Sequence, residues 1–376
     1  MFFWVTCLLT HMKEIRAILD TYQHKAPGVG AALATVVHVE GSSYRRTGAR
    51  MLILDNGTWV GGISGGCLEG DALKRARLAI AQGKPGMVTY DTTNEDDYQI
   101  GVGLGCNGVI SVLLAPIDPE APTPIDLLSA CANGPRQTNV LLTILKAPAD
   151  SNLPIGTMLR YDGADSLTLF GQSANELEQT IRAFVKKGKS APVSVNVPSG
   201  VLEVFVEVML PVPHVVLLGQ QYDVYPMVRL VNELGWQTTV VANPQKVTRA
   251  LFGSANALVA PADFDNITVD DQTAFVLMAH DFNTDKANLP RALATGAPFV
   301  GVLGPRVRTE RMIDELADEG IVVPETDRLH APIGLDIGAV SPEEIALSVM
   351  AEIRATLSGR NGSFLRLRQA PIHERD

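Results

Sequence analysis

The sequence predicts an α/β protein, with an α+β N-terminal part and a doubly wound parallel sheet in its C-terminal part. Three observations predict it. After Pro211 short apolar runs at 215–218, 238–242, 257–260, 275–279 and 299–303 alternate with helical patterns, the signature of parallel strands joined by crossover helices. Before residue 120, strand patterns and two helices are punctuated by glycine-rich loops. Finally, 376 residues of which 46% are hydrophobic and 19% charged suffice for the cores of about two or three domains and exclude wholesale disorder.

The elements follow in order. Residues 1–9 are apolar, but the run is too short to span a membrane and lacks a basic leader and a small-residue cleavage site. An amphipathic pattern begins near Met12, the expected natural start, and predicts a helix over 13–25. Strands are expected at 31–39 and, as a hairpin around Asp55-Asn56-Gly57, at 51–54 and 59–60. A glycine-rich segment at 61–70 opens a helix over 71–81 that stops near Gly83. A second at 101–108 precedes an apolar strand at 109–114, and the proline-rich stretch 116–125 reads as a connection. Further strands are predicted at 138–145, 159–161, 167–170 and 201–209. In the last part Ser341, Pro342 and Glu344 spell a capping box with proline at the first helical position, predicting a helix to about 357. The organisation is therefore a first domain over 1–120, a middle α+β segment over 121–210 packed on it, and a final domain over 211–376.

Lys plus Arg total 31 against 41 Asp plus Glu, a net charge of −10. That balance argues against nucleic acid or an anionic membrane as the main partner. The four cysteines, Cys7, Cys67, Cys106 and Cys131, form no CxxC pair, so neither a disulfide scaffold nor a zinc ribbon is indicated and a reducing, cytoplasmic setting is expected.

Several constellations have the residue types for binding chemistry. In GSSYRRTGAR (41–50), Ser42, Ser43, Arg45 and Arg46 follow a buried strand, and hydroxyls with guanidinium forks suit a phosphate or carboxylate; a solvated turn with surface ion pairs is the alternative. GGISGGCLEG (61–70) holds five glycines, with Gly65, Gly66, Cys67 and Glu69 at the mouth of a helix. Free N–H groups there favour an anion or a thiolate and would depress the Cys67 pKa; a buried structural cysteine is the alternative. GVGLGCNG (101–108) repeats the theme with Gly105 and Cys106, and two thiols suit a soft metal centre or sulfur carriage. Cys7 and Cys131 read as structural.

In the last part, Gly219 ends a strand, but Gln221 and Val224 stand where a dinucleotide fingerprint needs a second glycine and a small residue, and Asn243 stands where an acid would hold a ribose. A tightly bound NAD(P) is therefore not expected. In AHDFNTD, His280, Asp281 and Asp285 lie at the carboxyl end of a sheet strand, where open α/β sheets bind ligands; helix capping by Asp281 or Asn283 is the plain alternative. His330 and the turn 332–338 could close over a site between domains.

Taken together, these segments resemble the XdhC/CoxI family, accessory factors of xanthine dehydrogenase and related molybdenum hydroxylases. The resemblance lies in ATVVHVEGSSYRRTGARML, GGISGGCLEGD and GLGCNGVI near the start, and in MAHD, GVLGPRVRTERM and RLHAPIGLDIGAVSPEEIALSVMAEI near the end. It implies an N-terminal XdhC/CoxI domain and a C-terminal Rossmann-like domain. It also implies a chaperone that binds molybdenum cofactor of the molybdopterin type as cargo, supports its sulfuration with a cysteine desulfurase, and delivers it to a xanthine-dehydrogenase-type enzyme. On that reading Ser42, Ser43, Arg45 and Arg46 suit the cofactor's phosphate, and Cys67 or Cys106 its molybdenum. Chains of this kind are expected to form homodimers. Gln221, Asn243 and Asn107 depart from the family pattern. A nicotinamide-dependent oxidoreductase and a cysteine-based sulfur transferase are the competing functions.

Overall fold

The computed structural model describes residues 11–41, 43–91, 108–247, 253–324 and 326–369. The chain gathers into two compact units, one running from Glu14 to Pro211 and the other from Val212 to Leu367. Among the described residues no helix is long and apolar enough to cross a membrane.

In the first unit, α1 (His11–Gln23) buries Ile15 and Ile18. Then come β1 (Ala31–Gly41), β2 (Arg50–Leu54), β3 (Trp59–Gly61), α2 (Glu69–Gln82), β4 (Gly86–Asp91) and β5 (Gly108–Ile117). The strands form an antiparallel sheet in the order β3-β2-β1-β5-β4. β1 shows no polar alternation because both of its faces are covered. Ala32, Ala34 and Val36 pack with Leu68, Ala72 and Ala76 around α2. Val37, at a register shift between Val36 and His38, packs with Leu113, Leu145 and Phe205.

Those last two residues come from a second antiparallel sheet. It follows α3 (Thr123–Asn133) and holds β6 (Asn139–Lys146), β7 (Met158–Arg160), β8 (Ala191–Val197) and β9 (Gly200–Met209) in the order β7-β6-β9-β8. Helix α4 (Ala174–Lys187) seats Leu177 and Ile181 in the core of this sheet. The strand expected at 167–170 is instead part of a 3-10 segment, Ala164–Ser173. Leu167 and Phe170 are fully buried while Leu169 is exposed, and a three-residue repeat brings both apolar side chains to one face. Sequence pattern also passed over β4 and β8. β4 is a half-exposed edge strand and β8 an edge strand carrying Pro192, and both features blunt the strand signal.

The second unit contains β10 (His214–Leu218), α5 (Val224–Glu233), β11 (Gln237–Val241), β12 (Ala257–Val259), β13 (Thr273–Leu277), α6 (Phe282–Ala294), β14 (Phe299–Val302), α7 (Arg306–Asp318), β15 (Leu329–His330) and α8 (Pro342–Leu357). Its six strands are all parallel, in the order β12-β11-β10-β13-β14-β15. Two strands extend the sheet beyond β10 and two beyond β13, so the chain reverses direction between these neighbours. This is the doubly wound, Rossmann-type order. Core residues of α5 and α8 share one cluster and those of α6 and α7 another, which accounts for the continuous apolar runs of the strands. The capping box of α8 forms as predicted, with Ser341 and Glu344 exchanging side-chain and backbone bonds.

Candidate functional site

One end of the first sheet brings the 43–50 and 61–70 segments together. The loop after β1 runs back into β2 at Arg50, and Arg50 and Gly61 are drawn together where Gly62 N–H donates to the Arg50 carbonyl at 2.8 Å. Gly41, the last residue of β1, pairs with Gly108, the first of β5. Ser42, Gly105 and Cys106 themselves lie outside the described residues. The two described loops touch: the Tyr44 ring lies against Gly65, about where a Cβ there would sit 3.5 Å from it. Tyr44 is 76% exposed and drew no attention in the sequence, although an aromatic between two serines and two arginines was a usable signal. Ser43 is buried and its hydroxyl reaches no hydrogen-bond partner, an unmet donor and acceptor in the floor of the loop.

The Cys67 loop is held by a compact polar knot. Glu69, buried at the start of α2, accepts from the Ser64 N–H at 2.8 Å, the Ile63 and Leu68 N–H groups at 3.2 Å, and the Ser64 hydroxyl at 2.5 Å. The Ser64 oxygen in turn accepts from the N–H groups of Gly66, Cys67 and Leu68 at 3.1–3.2 Å. The helix mouth thus receives the chain's own carboxylate, as a helix N-terminus favours. Gly66 supplies the turn with φ of 111°, a conformation that side chains resist. The Cys67 residue is left half-buried with its backbone fixed. Burial pushes the Glu69 carboxyl up, but the hydrogen bonds from Ser64, Ile63 and its own backbone outweigh that and hold it below its usual range. Its contribution to stability is therefore complete above the ordinary carboxylate pKa and is lost as pH falls through the depressed one. Glu69→Gln is expected to cost about 1–3 kcal/mol at pH 7, with the gap to wild type closing in thermal melts below about pH 4. A gap independent of pH would show that the charge is irrelevant.

The arginines of the first loop are not equivalent. Arg45 is paired with Glu14 of α1, and Glu14 also accepts from the Arg50 N–H at 2.8 Å. Arg50, 1% exposed, forks onto Glu207 of β9 and gives a further bond to the Gly48 carbonyl at 2.9 Å. The loop is thus anchored to α1 and to the second sheet.

In the second unit Gly219 follows β10 where a Cβ would fall 2.5 Å from the Met278 carbonyl oxygen, so close backbone approach already demands glycine. Asp281 caps α6, accepting from the Thr284 N–H at 2.8 Å and its hydroxyl at 2.5 Å, and the Thr284 hydroxyl and N–H hold it below its usual pKa. Asp285 is buried against Arg308 at 2.7 Å and the Ala279 N–H at 3.1 Å; burial pushes its carboxyl up against the pull of Arg308. His280 does not meet either acid as a side-chain partner but reaches Asp223, with Nε2 and Oδ2 2.5 Å apart. His330 bonds Glu352 of α8 at 2.9 Å and stacks on Phe299. Among the described residues no cluster of three or more His, Cys, Asp or Glu side chains could hold a metal ion.

These features define a two-unit α/β protein with a glycine-framed cysteine loop in its antiparallel part and a Rossmann domain following it in the chain. Family models agree with that division: the XdhC and CoxI family matches residues 24–91 and the XdhC Rossmann domain matches 215–353. The chain belongs to the XdhC/CoxI family. It is 29% identical over 335 residues to a probable xanthine dehydrogenase subunit of Bacillus subtilis (strain 168), covering 87% of this chain and 93% of that one. It is 25% identical over 335 residues to the molybdenum cofactor insertion chaperone PaoD of Escherichia coli (strain K12), covering 87% and 83%. A crystal structure of a xanthine dehydrogenase from Bacillus halodurans superposes with a TM-score of 0.68 at 26% identity, over 94% of this chain and 97% of that one.

Proposed function

We propose that this protein binds molybdenum cofactor as cargo, supports its sulfuration together with a cysteine desulfurase, and hands it to a xanthine-dehydrogenase-type molybdoenzyme. The observation that carries the reading is the meeting of the 43–50 and 61–69 loops at one sheet end, with Tyr44 on Gly65 and the half-buried Cys67 close by in sequence. A thiolate suits a soft molybdenum centre, and the unpartnered Ser43 hydroxyl with Arg46 suits the cofactor's phosphate. Arg45 joins them if the cargo draws it from Glu14. Cys106, two residues before Gly108 in the sequence, is proposed as the second sulfur because its segment repeats the pattern of one cysteine among glycines. The relatives named for xanthine dehydrogenase and for cofactor insertion support the class of cargo and client.

The reading includes a cytoplasmic homodimer, and a first domain over 1–120 with 121–210 as a segment packed on it. Binding is expected to be stoichiometric, without turnover by the protein alone. The test is anaerobic purification from cofactor-rich cells, with pterin and molybdenum quantified on one sample. Wild type should carry both near one per chain, and Cys67→Ala or Cys106→Ala should lose most of the molybdenum. Full retention in both variants would remove the cysteines from the site. No retention by wild type, even with a client co-expressed, would overturn the chaperone reading.

A further inference from the structure

Asp223 and His280 face one another across the point where the second sheet reverses. β10 and β13 are neighbours, with β11 and β12 beyond the first and β14 and β15 beyond the second. The crevice past the carboxyl ends of such a pair is where open α/β sheets take ligands. His280 follows β13 with φ of 58°, and it is the one non-glycine residue of positive φ among the described residues. Strain of this kind persists where surrounding structure holds it for a purpose. Capping of α6 is not that purpose, because Asp281 already does it.

Asp223 is 8% exposed and its Oδ1 reaches no hydrogen-bond partner, while Oδ2 lies 2.5 Å from His280 Nε2. A carboxylate only accepts, so the imidazole gives its Nε2–H to Asp223, and in the neutral ring Nδ1 is then the acceptor, on a side chain half open to solvent. Asp223 is also the N-cap residue of α5, the position where dinucleotide-binding sheets seat a pyrophosphate. A buried carboxylate there opposes phosphate. The loop before it offers Gln220, Gln221 and Tyr222, the last 71% exposed. Amides, an aromatic face and an imidazole acceptor, with an acid in the phosphate seat, suit a flat polar ring.

We propose that this crevice binds a planar nitrogen heterocycle, of pterin or nucleobase type, with His280 Nδ1 accepting a ring N–H, Tyr222 stacking on the ring and Asp223 acting as positioning residue for His280. Gly219, His280 and Asp281 are already among the candidate binding residues of the sequence; the crevice gives His280 a specific role, one that does not depend on the phosphate and molybdenum contacts argued from the loops of the first unit.

The test titrates the full chain separately with pterin, adenosine and NAD. Pterin or adenosine should bind saturably, and which of them does identifies the source of the ring. His280→Asn, Asp223→Asn and Tyr222→Ala should each weaken binding by about tenfold, the scale of one lost contact, while Cys67→Ala should not. Ring ¹⁵N shifts should report the Nε2–H tautomer of His280 in wild type and a changed tautomer ratio in Asp223→Asn. His280→Gly, which relieves the backbone, should melt no lower than wild type yet lose the ligand; a lower melting temperature would mark His280 as structural. Absence of binding by both rings, unaltered binding in the His280 and Asp223 variants, or NAD binding tighter than adenosine would each overturn the proposal. Cofactor retention in the co-purification is a separate readout, so either reading can fail without the other.

Discussion

Glu207→Ala is expected to destabilise the Glu14–Pro211 unit by about 3–5 kcal/mol, the cost of stranding a buried charge. Arg50 is 1% exposed, and its side-chain nitrogens meet Glu207 and the Gly48 carbonyl while Nε has no partner. Burial pulls the guanidinium pKa down, and Glu207, by charge and hydrogen bond, with a smaller push from Glu14, more than reverses that pull. Removing Glu207 leaves mainly Glu14 to oppose the cost of burying the charge. Gly48 shows how tightly the pair is enclosed: φ is 87° and a Cβ would lie 2.8 Å from Glu207 Oε1. Urea denaturation should show the loss as a lower midpoint at unchanged slope. The double variant Arg50→Met, Glu207→Leu should recover most of it, since a well-packed apolar pair often replaces a buried ion pair without loss. A loss below about 1 kcal/mol, typical of a surface pair, would refute the account. Because Glu14 holds both the Arg50 N–H and the Arg45 side chain, the single variant should also loosen the 43–50 loop and lower cofactor retention more than the double variant does.

That ion pair marks the limit of what the sequence disclosed. The parallel sheet was legible because its central strands are buried on both faces and read as apolar runs, for example β10 with all five residues buried, whereas the two-residue edge strand β15, only partly buried, gave no such run. The capping box of α8 was legible because it is a local pattern of side-chain and backbone bonds. The glycine loops were visible as composition. What they do with their amides was not, because Glu69 reads as one more acid until it is seen to accept from Ile63, Ser64 and Leu68. Arg50 is, in sequence, one more basic residue at the end of GSSYRRTGAR, whereas its partner is 157 residues away. Asp223 went unnoticed for the same reason: it lies 57 residues from His280, and periodicity carries no information about such pairs. The 3-10 segment was missed because an apolar pair three apart, Leu167 and Phe170, with Leu169 between them, imitates a short strand.

Gly219→Ala is expected to destabilise the Val212–Leu367 unit by about 1–3 kcal/mol or more, the cost of forcing extra volume into a packed core. The added Cβ would fall 2.5 Å from the Met278 oxygen and 2.9 Å from its carbonyl carbon. Neither is the free end of a side chain, so the backbones of β10 and β13 must separate. They are tied there by the Met278 N–H donating to the Leu218 carbonyl at 3.0 Å, and parting them strains the ladder at the very edge that carries Asp223 and His280. Trp236, buried in this unit's core, is a local reporter once Trp4 and Trp59 are replaced by Phe. Gly70→Ala is the control: it lies in α2 with open space around the added atom and no positive φ, so it should be neutral or stabilising by up to about 1 kcal/mol. If Gly219→Ala proved as stable as wild type but lost ring binding, the glycine would be there to let a ligand approach. If both were lost together, the glycine is a requirement of strand packing. That second outcome is the one the 2.5 Å approach predicts, and it would explain how the first glycine of a dinucleotide turn persists beside Gln221 and an acid in the phosphate seat.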